Sequence, residues 1–539
     1  MSLAKKIALF FVALAVAIGA ADLLSRPVLA EILALRIHAA SGLHAKIRAA
    51  KLVFSSPPKI VADDVTLNSP QGWSLSADHI HFGFAWEDLF DGKMNIADLS
   101  LERPVLQITQ QALDAEAAHR DSFALGGTLT ARDGRLVYRN LRRDMSAEIQ
   151  SIALVATPRE DGGLALRFGG KLDGTDLRLD GALHSVSDFI AGRATAFEGT
   201  DTRGARLHAR LRLGEGSFGF DDLALSASGG TLHGAGFFRW TGEAPRLEAN
   251  IDADRLDLGA LQLGADHPID LKDLRLLDGA LTLKAGTLSA SGIQARKIAI
   301  AAKLDKGRLT SSLAAGDFYA GKADADLAID AAQPSPKEKL KADFSGVQAA
   351  QLLNLAGVEG QGTLSAAFDL ASEGAEIKTI ANGLAGTAEL DFTNGTVSGL
   401  STLLSAVAPF LPKIGNLDKI AINSAHARFA VATGEADTDD IRIASPVLDV
   451  SGKGTIDLVG ETLDLHFEPK LAGGANSDRP TDLGTTILLR GPWNAPRVSA
   501  DVDTGRAIGN LLGGPGGAAI MKGLGALLNS LSGAPDSPQ

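Results

Sequence analysis

From about Lys51 to Asp503, apolar and polar residues alternate with a period of two. The run Arg206–Leu213 sets Leu207, Ala209, Leu211 and Leu213 on one side and Arg206, His208, Arg210 and Arg212 on the other. Successive side chains of an extended chain point to opposite faces, so such a run predicts a strand with one apolar face. Leu448, Val450, Ile456 and Leu458 share a parity with Gly452 and Gly454. After a turn at Gly460–Glu461 the pattern resumes at Leu463, Leu465 and Phe467, with Asp464 and His466 turned away. Ala388, Leu390 and Phe392 oppose Glu389 and Asp391. Asp133-Gly134, Asp173-Gly174, Asp180-Gly181, Asp278-Gly279 and Asn394-Gly395 are predicted as tight hairpin turns, where a positive φ is needed.

The expected fold is mainly β: a long antiparallel sheet with one apolar and one polar face, and few helices. Helical spacing appears over Val347–Leu355, Ile377–Leu384 and Leu400–Leu411, the last closed by Pro412. Gln333–Lys341, with its prolines and lysines, reads as a linker or exposed loop. The predicted organisation is an anchor (1–24), an N-terminal β region (25–332), a linker (333–343), a C-terminal β domain (344–504) and a Gly/Ala/Leu-rich tail (505–539). About 30 strands at ~4.8 Å each would give one continuous sheet an upper length of about 150 Å, before twist shortens it.

Lys5 and Lys6 precede Ile7–Ala21, fifteen residues without charge. Ile7, Leu9, Phe10, Phe11, Val12, Leu14, Val16 and Ile18 are the expected membrane-anchor residues of one transmembrane helix. The lysine pair predicts a cytoplasmic N-terminus and an exported body. A cleaved signal peptide would look similar, with small residues at Ala15-Val16-Ala17 and Gly19-Ala20-Ala21. The anchor reading is preferred because Asp22–Ala40 continues in helical spacing through Leu29, Ile32, Leu33, Leu35 and Ile37.

Composition narrows the possibilities. Of 539 residues 45% are hydrophobic but only 5% aromatic, so many small layers are expected in place of one core on large anchors. A net charge of −12 argues against nucleic acid as a partner. The chain has no cysteine, which excludes disulfides, Cys-ligated metals and thiol catalysis. His79-x-His81 would put two imidazoles on one strand face, but no third ligand follows at a telling spacing. The adjacent acids Asp63-Asp64, Asp221-Asp222 and Asp439-Asp440 would alternate across a strand, a poor arrangement for paired acid–base work. Gly513–Gly517 lacks the Gly-Lys-Ser/Thr ending of a phosphate loop. No enzyme activity, metal or cofactor is expected.

Several ordered segments resemble the AsmA family of bacterial envelope proteins. They are Ile60–Asn68 with Gly72-Trp73, Ile96–Leu106 with its L-x-L-x-x-P-x-L pattern, and Pro268–Leu271 with Leu277–Leu281. Asn394–Leu400, Ile441–Pro446, Gly452–Leu458 and Leu489–Val498 follow in the same order. The resemblance implies a bacterial inner-membrane protein with a periplasmic body and a role in outer-membrane lipid homeostasis. Larger members resemble bridge-like lipid-transfer proteins, so the resemblance implies a curled, taco-shaped β-sheet whose apolar groove shelters acyl chains. The implied groove lining here is Leu207, Leu211, Leu213, Leu390, Phe392, Phe429, Val431, Ile441, Ile443, Leu448, Val450, Ile456, Leu458, Leu463, Leu465 and Phe467. Phospholipid or another envelope lipid is the expected partner, beside outer-membrane or periplasmic proteins. The competing expectation is a scaffold or assembly factor for outer-membrane proteins, its apolar faces closed by protein.

Overall fold

The computed structural model describes residues 26–502 except 40, 54, 56, 85–95, 118–126, 173, 202–203, 262–270, 291, 356–358, 399–418, 473–480, 483 and 494. The predicted anchor Ile7–Ala21, the apolar stretch Leu400–Leu411 and the tail 505–539 lie outside the described residues. Among the described residues no helix is long and apolar enough to cross a membrane. They are mainly β, with 28 strands and a few short helices, and they divide into two compact units. The first holds 1–256, 273–283 and 304–307, and the second the remainder, so the division falls within 257–307 and not at the expected linker.

In the first unit, a helix over residues 26–39 (α1) precedes β1 (His44–Val53), β2 (Lys59–Asn68) and β3 (Ser74–Phe84), an antiparallel meander. Leu33 and Ala30 of α1 are buried in one cluster with Ile60, Ala62, Val65, Ile80, Phe82 and Phe84, and Leu29 and Ile37 pack beside them. Spacing of three and four residues brings these side chains onto one helix face, which covers the first strands. The chain leaves the helix at Gly42 (φ +69°), whose N–H donates to the His38 carbonyl at 2.8 Å.

β4 (Ile96–Glu102) and β5 (Val105–Thr109) together flank β3, interrupted at Arg103-Pro104, since proline has no N–H for the ladder. Both then pair in parallel with β6 (Leu129–Asn140), a departure from the predicted all-antiparallel meander. Parallel neighbours need a crossover, and the connection contains α2 (Gln110–Ala117). From β6 the antiparallel meander resumes through β7 (Met145–Pro158), β8 (Leu164–Leu172), β9 (Thr175–Leu183), β10 (Thr195–Thr200), β11 (Arg206–Gly214), β12 (Ser217–Ala227), β13 (Gly230–Arg239) and β14 (Arg246–Asp257). A short helix α3 (Val186–Ile190), capped by the Ser185 side chain, joins β9 to β10.

Past α4 (Leu258–Leu261), a 3₁₀ turn (Leu271–Arg275) and β15 (Asp278–Ala290), the second unit carries β16 (Ile293–Asp305), β17 (Arg308–Phe318), β18 (Gly321–Asp330) and β19 (Lys337–Gln348). Then come α5 (Ala350–Leu355), β20 (Gly360–Glu373), α6 (Ile377–Gly383), β21 (Ala385–Ser398), β22 (Lys419–Ala432), β23 (Glu435–Ala444), β24 (Leu448–Asp457), β25 (Thr462–Leu471), a two-residue β26 (Thr481–Asp482), β27 (Thr485–Pro492) and β28 (Arg497–Val502). From β17 to β25 each strand pairs antiparallel with the next, and β27 and β28 extend the same ladder. The linker expected over 333–343 shrinks to a loop before Lys337. Lys337, Lys339 and Lys341 alternate with Leu340 and Ala342, so strand periodicity overrides the prolines upstream.

Of the five Asp-Gly and Asn-Gly pairs, one includes Asp173, which lies outside the described residues, while Leu172 and Thr175, on either side of it and Gly174, pair across β8 and β9. Asp180-Gly181 lies within β9, and Asp278-Gly279 opens β15. Asp133 and Asn394 take φ +51° inside strands, where the register slips by a residue. They are β-bulges, which bend a strand and raise its twist, and short polar side chains tolerate the left-handed region they need. Ser151 and Asp222 occupy two more.

Candidate functional site

Residues directly opposite each other on paired strands share a face, so the register traces the apolar face of the second unit. One row runs Ala315, Ala323, Phe344, Ala366, Leu390, Ala427, Ile441, Gly452, Phe467, Ile487 and Ala500. A second joins Leu327, Leu340, Leu370, Gly386, Val431, Ala436, Ile456 and Leu463. On the other flank Leu364, Phe392, Ala425, Ile443 and Val450 form a third. At ~4.8 Å per strand, a row across eleven strands is up to about 48 Å long.

Thirteen groove candidates fall in this unit, and twelve of them stand on this face in β21 to β25. Leu390, Phe392, Phe429, Ile443, Val450, Ile456, Leu463 and Phe467 are half-buried, while Val431, Ile441, Leu448 and Leu465 are buried. Leu458 is the exception. β24 ends at Asp457 and Leu458 sits in the following turn, its N–H donating to the Gly434 carbonyl at 2.9 Å. In the first unit Leu207, Leu211 and Leu213 are half-buried on the apolar side of β11, opposite Leu225, Phe220 and Phe218 of β12.

Incomplete burial separates this face from an ordinary core. Phe368, Leu370, Leu390, Phe392 and Phe429 sit mid-sheet yet keep part of their surface in water. In the first unit, by contrast, α1 buries the corresponding face of β2 and β3. The register also explains small residues in the rows. Gly452 stands between Ile441 and Phe467, and a Cβ there would lie 2.7 Å from the Phe467 ring. The missing side chain makes room for the aromatic one.

The polar side of the strands is a lattice of exposed ion pairs. On β11 and its neighbours Arg212 faces Asp221 at 3.4 Å and Arg210 faces Asp222 at 3.5 Å. Asp221 and Asp222 therefore serve one face, against the alternation expected for adjacent strand residues, because the bulge at Asp222 inserts an extra residue. His79 and His81 each have a carboxylate neighbour, Asp63 at 2.8 Å and Glu102 at 3.6 Å. Glu389, Asp391 and His426 bring three possible metal-ligand atoms within 4.8 Å of one another, and His426 Nδ1 lies 2.8 Å from an Asp391 oxygen. Asp464 is shared by Arg490 and His466, and the Arg490 hydrogen bond holds its carboxyl below the usual range. Arg135 donates twice to Glu148 at 2.6 Å, which likewise lowers the Glu148 carboxyl.

Sequence reasoning missed the buried polar side chains. Gln110 donates to the Trp240 carbonyl at 2.7 Å and accepts from the Tyr138 hydroxyl, while Asn140 donates to the Glu243 carbonyl at 2.8 Å. Nothing in local periodicity signals partners more than a hundred residues away.

The AsmA family model matches residues 261–441. The chain is also similar to Protein AsmA of Escherichia coli (strain K12), with 20% identity over 504 residues, 80% of this chain and 81% of that protein. No solved structure matches significantly. The match over residues 261–441 and the similarity along four-fifths of both proteins support membership of the AsmA family.

Proposed function

We propose that this protein shelters lipid acyl chains on its apolar β face, which curls around them as a groove, and so supports phospholipid transport or outer-membrane lipid homeostasis. One observation carries the reading: aligned rows of Leu, Ile, Val, Phe and Ala cross as many as eleven strands, yet many of their larger members are only half-buried. An apolar sheet face needs a cover, and hydrocarbon suits one that offers no hydrogen bonds. Each CH₂ taken from water contributes roughly 0.8 kcal/mol. Ile7–Ala21 would hold the chain in the bacterial inner membrane, with the N-terminus cytoplasmic and the body in the periplasm. Membership of the AsmA family is consistent with this role.

The test is native mass spectrometry of the full chain extracted in mild detergent. Co-purified phospholipid is expected, with a mature mass that includes Ile7–Ala21. A strictly lipid-free protein would sink the reading and favour a scaffold or assembly factor whose face is closed by protein.

A further inference from the structure

We infer that Glu338 is a headgroup contact at the rim of the apolar face, where its carboxylate takes the ammonium group of an amine-bearing phospholipid. The inference rests on the lipid-binding reading above and adds a specificity to it.

Glu338 is an acid on the wrong parity. In β19 the lysines 337, 339 and 341 point to the polar side, and Glu338 shares the apolar side with Leu340, Ala342 and Phe344. Its row reads Leu309, Ile329, Glu338 and Ser372, one row outside Leu327, Leu340 and Leu370. That outer row lies where β18 ends at Asp330, β19 begins at Lys337 and β20 ends at Glu373, so it forms the rim of the sheet. Both carboxylate oxygens are shut off from solvent and accept no hydrogen bond. Across the ladder it has the apolar Ile329 on one side and Ser372 on the other, whose hydroxyl donates to the Ile380 carbonyl instead.

An unpartnered carboxyl in such a place costs free energy, and either a proton or a cation relieves it. Burial pushes the Glu338 carboxyl above its usual range, and the charge of Glu373 adds to this. An ammonium brings both a charge and up to three N–H donors. Acyl chains lying along the inner rows would leave their headgroup at the rim, beside this carboxylate. The three rotatable bonds of glutamate let it swing out to meet the group.

The experiment offers the full-length protein an equimolar mixture of phosphatidylethanolamine and phosphatidylglycerol in detergent micelles and weighs the bound lipid by native mass spectrometry. Wild type is expected to enrich phosphatidylethanolamine by about tenfold, the lower end of what a hydrogen bond to a charged group contributes. Glu338→Gln should abolish the enrichment while total bound lipid stays constant, and its melting temperature should not fall, because the substitution removes an unpaired acid. Equal uptake of the two lipids by wild type, or an enrichment that survives Glu338→Gln, would overturn the inference alone. A wild type that binds neither lipid would remove the lipid-binding reading and this inference together.

Discussion

Arg143 and Asp278 form a bidentate ion pair, with donor–acceptor distances of 2.9 and 2.7 Å and side chains only 10% and 13% exposed. The other ion pairs named above are open to solvent, where such contacts contribute little. Here Asp278 also accepts the Lys306 backbone N–H at 2.8 Å, and Arg143 reaches the Arg275 carbonyl at 3.3 Å. The pair thus ties the turn after β6 to the head of β15, and Asp278 also holds the turn between β16 and β17. Arg143→Ala leaves a carboxylate hidden and unpaired, and should cost about 3 kcal/mol in urea unfolding of the full chain. Arg142→Ala, one residue away, should cost under about 0.5 kcal/mol.

The same pair sets an acid limit. Burial alone would raise the Asp278 carboxyl, but hydrogen bonds from Arg143 and the Lys306 N–H outweigh it and hold it below its usual range. A carboxyl depressed in the folded state stabilises above its unfolded value, near pH 4, and loses that contribution as pH falls through the folded value. Asp278→Asn should therefore destabilise at pH 7 and flatten the acid limb of stability against pH. An acid limb identical to wild type would count against this account.

Asp278 also marks where the sequence could be read and where it could not. Its Asp-Gly pair looks like a hairpin, because turn residues carry a local signal. The structure uses the aspartate for a partner 135 positions away, and no local pattern encodes that. Strand periodicity was legible because each face imposes its own rule at every second residue, and Leu390, Phe392, Ile441 and Phe467 all stand on the expected side. The parallel seam at β6 was hidden, since pairing direction leaves no mark on alternation. Glu338 was hidden for a related reason: inside a presumed linker its parity had no meaning until β19 gave it one.

Helix α1 offers a sharp contrast within two residues. Leu33 is 4% exposed and packs into the cluster with Ile60 and Phe82, whereas Leu35 is 64% exposed. The helical spacing that grouped Leu29, Ile32, Leu33, Leu35 and Ile37 therefore splits into a buried side and an outward side. Leu33→Lys should lose about 3 kcal/mol or more, since a charge there has no partner. Leu35→Lys should stay within about 0.5 kcal/mol, and circular dichroism melts of the two variants would separate them.

Gly452 and Phe467 pair across β24 and β25 on the apolar face. The glycine is there for space: an added Cβ would stand 2.7 Å from Phe467 Cδ1 and 3.2 Å from Ile441 Cβ. Gly452→Val should therefore cost about 1–3 kcal/mol through overpacking. Phe467→Ala should cost about 2 kcal/mol, less than a fully buried phenylalanine, because the ring is half-buried. If the two residues share one volume, the double variant should be at least about 1 kcal/mol more stable than the sum of the single losses. Simple additivity in urea unfolding would mean that Phe467 does not lean over Gly452, and that the row from Ile441 to Ile487 is looser than its register indicates.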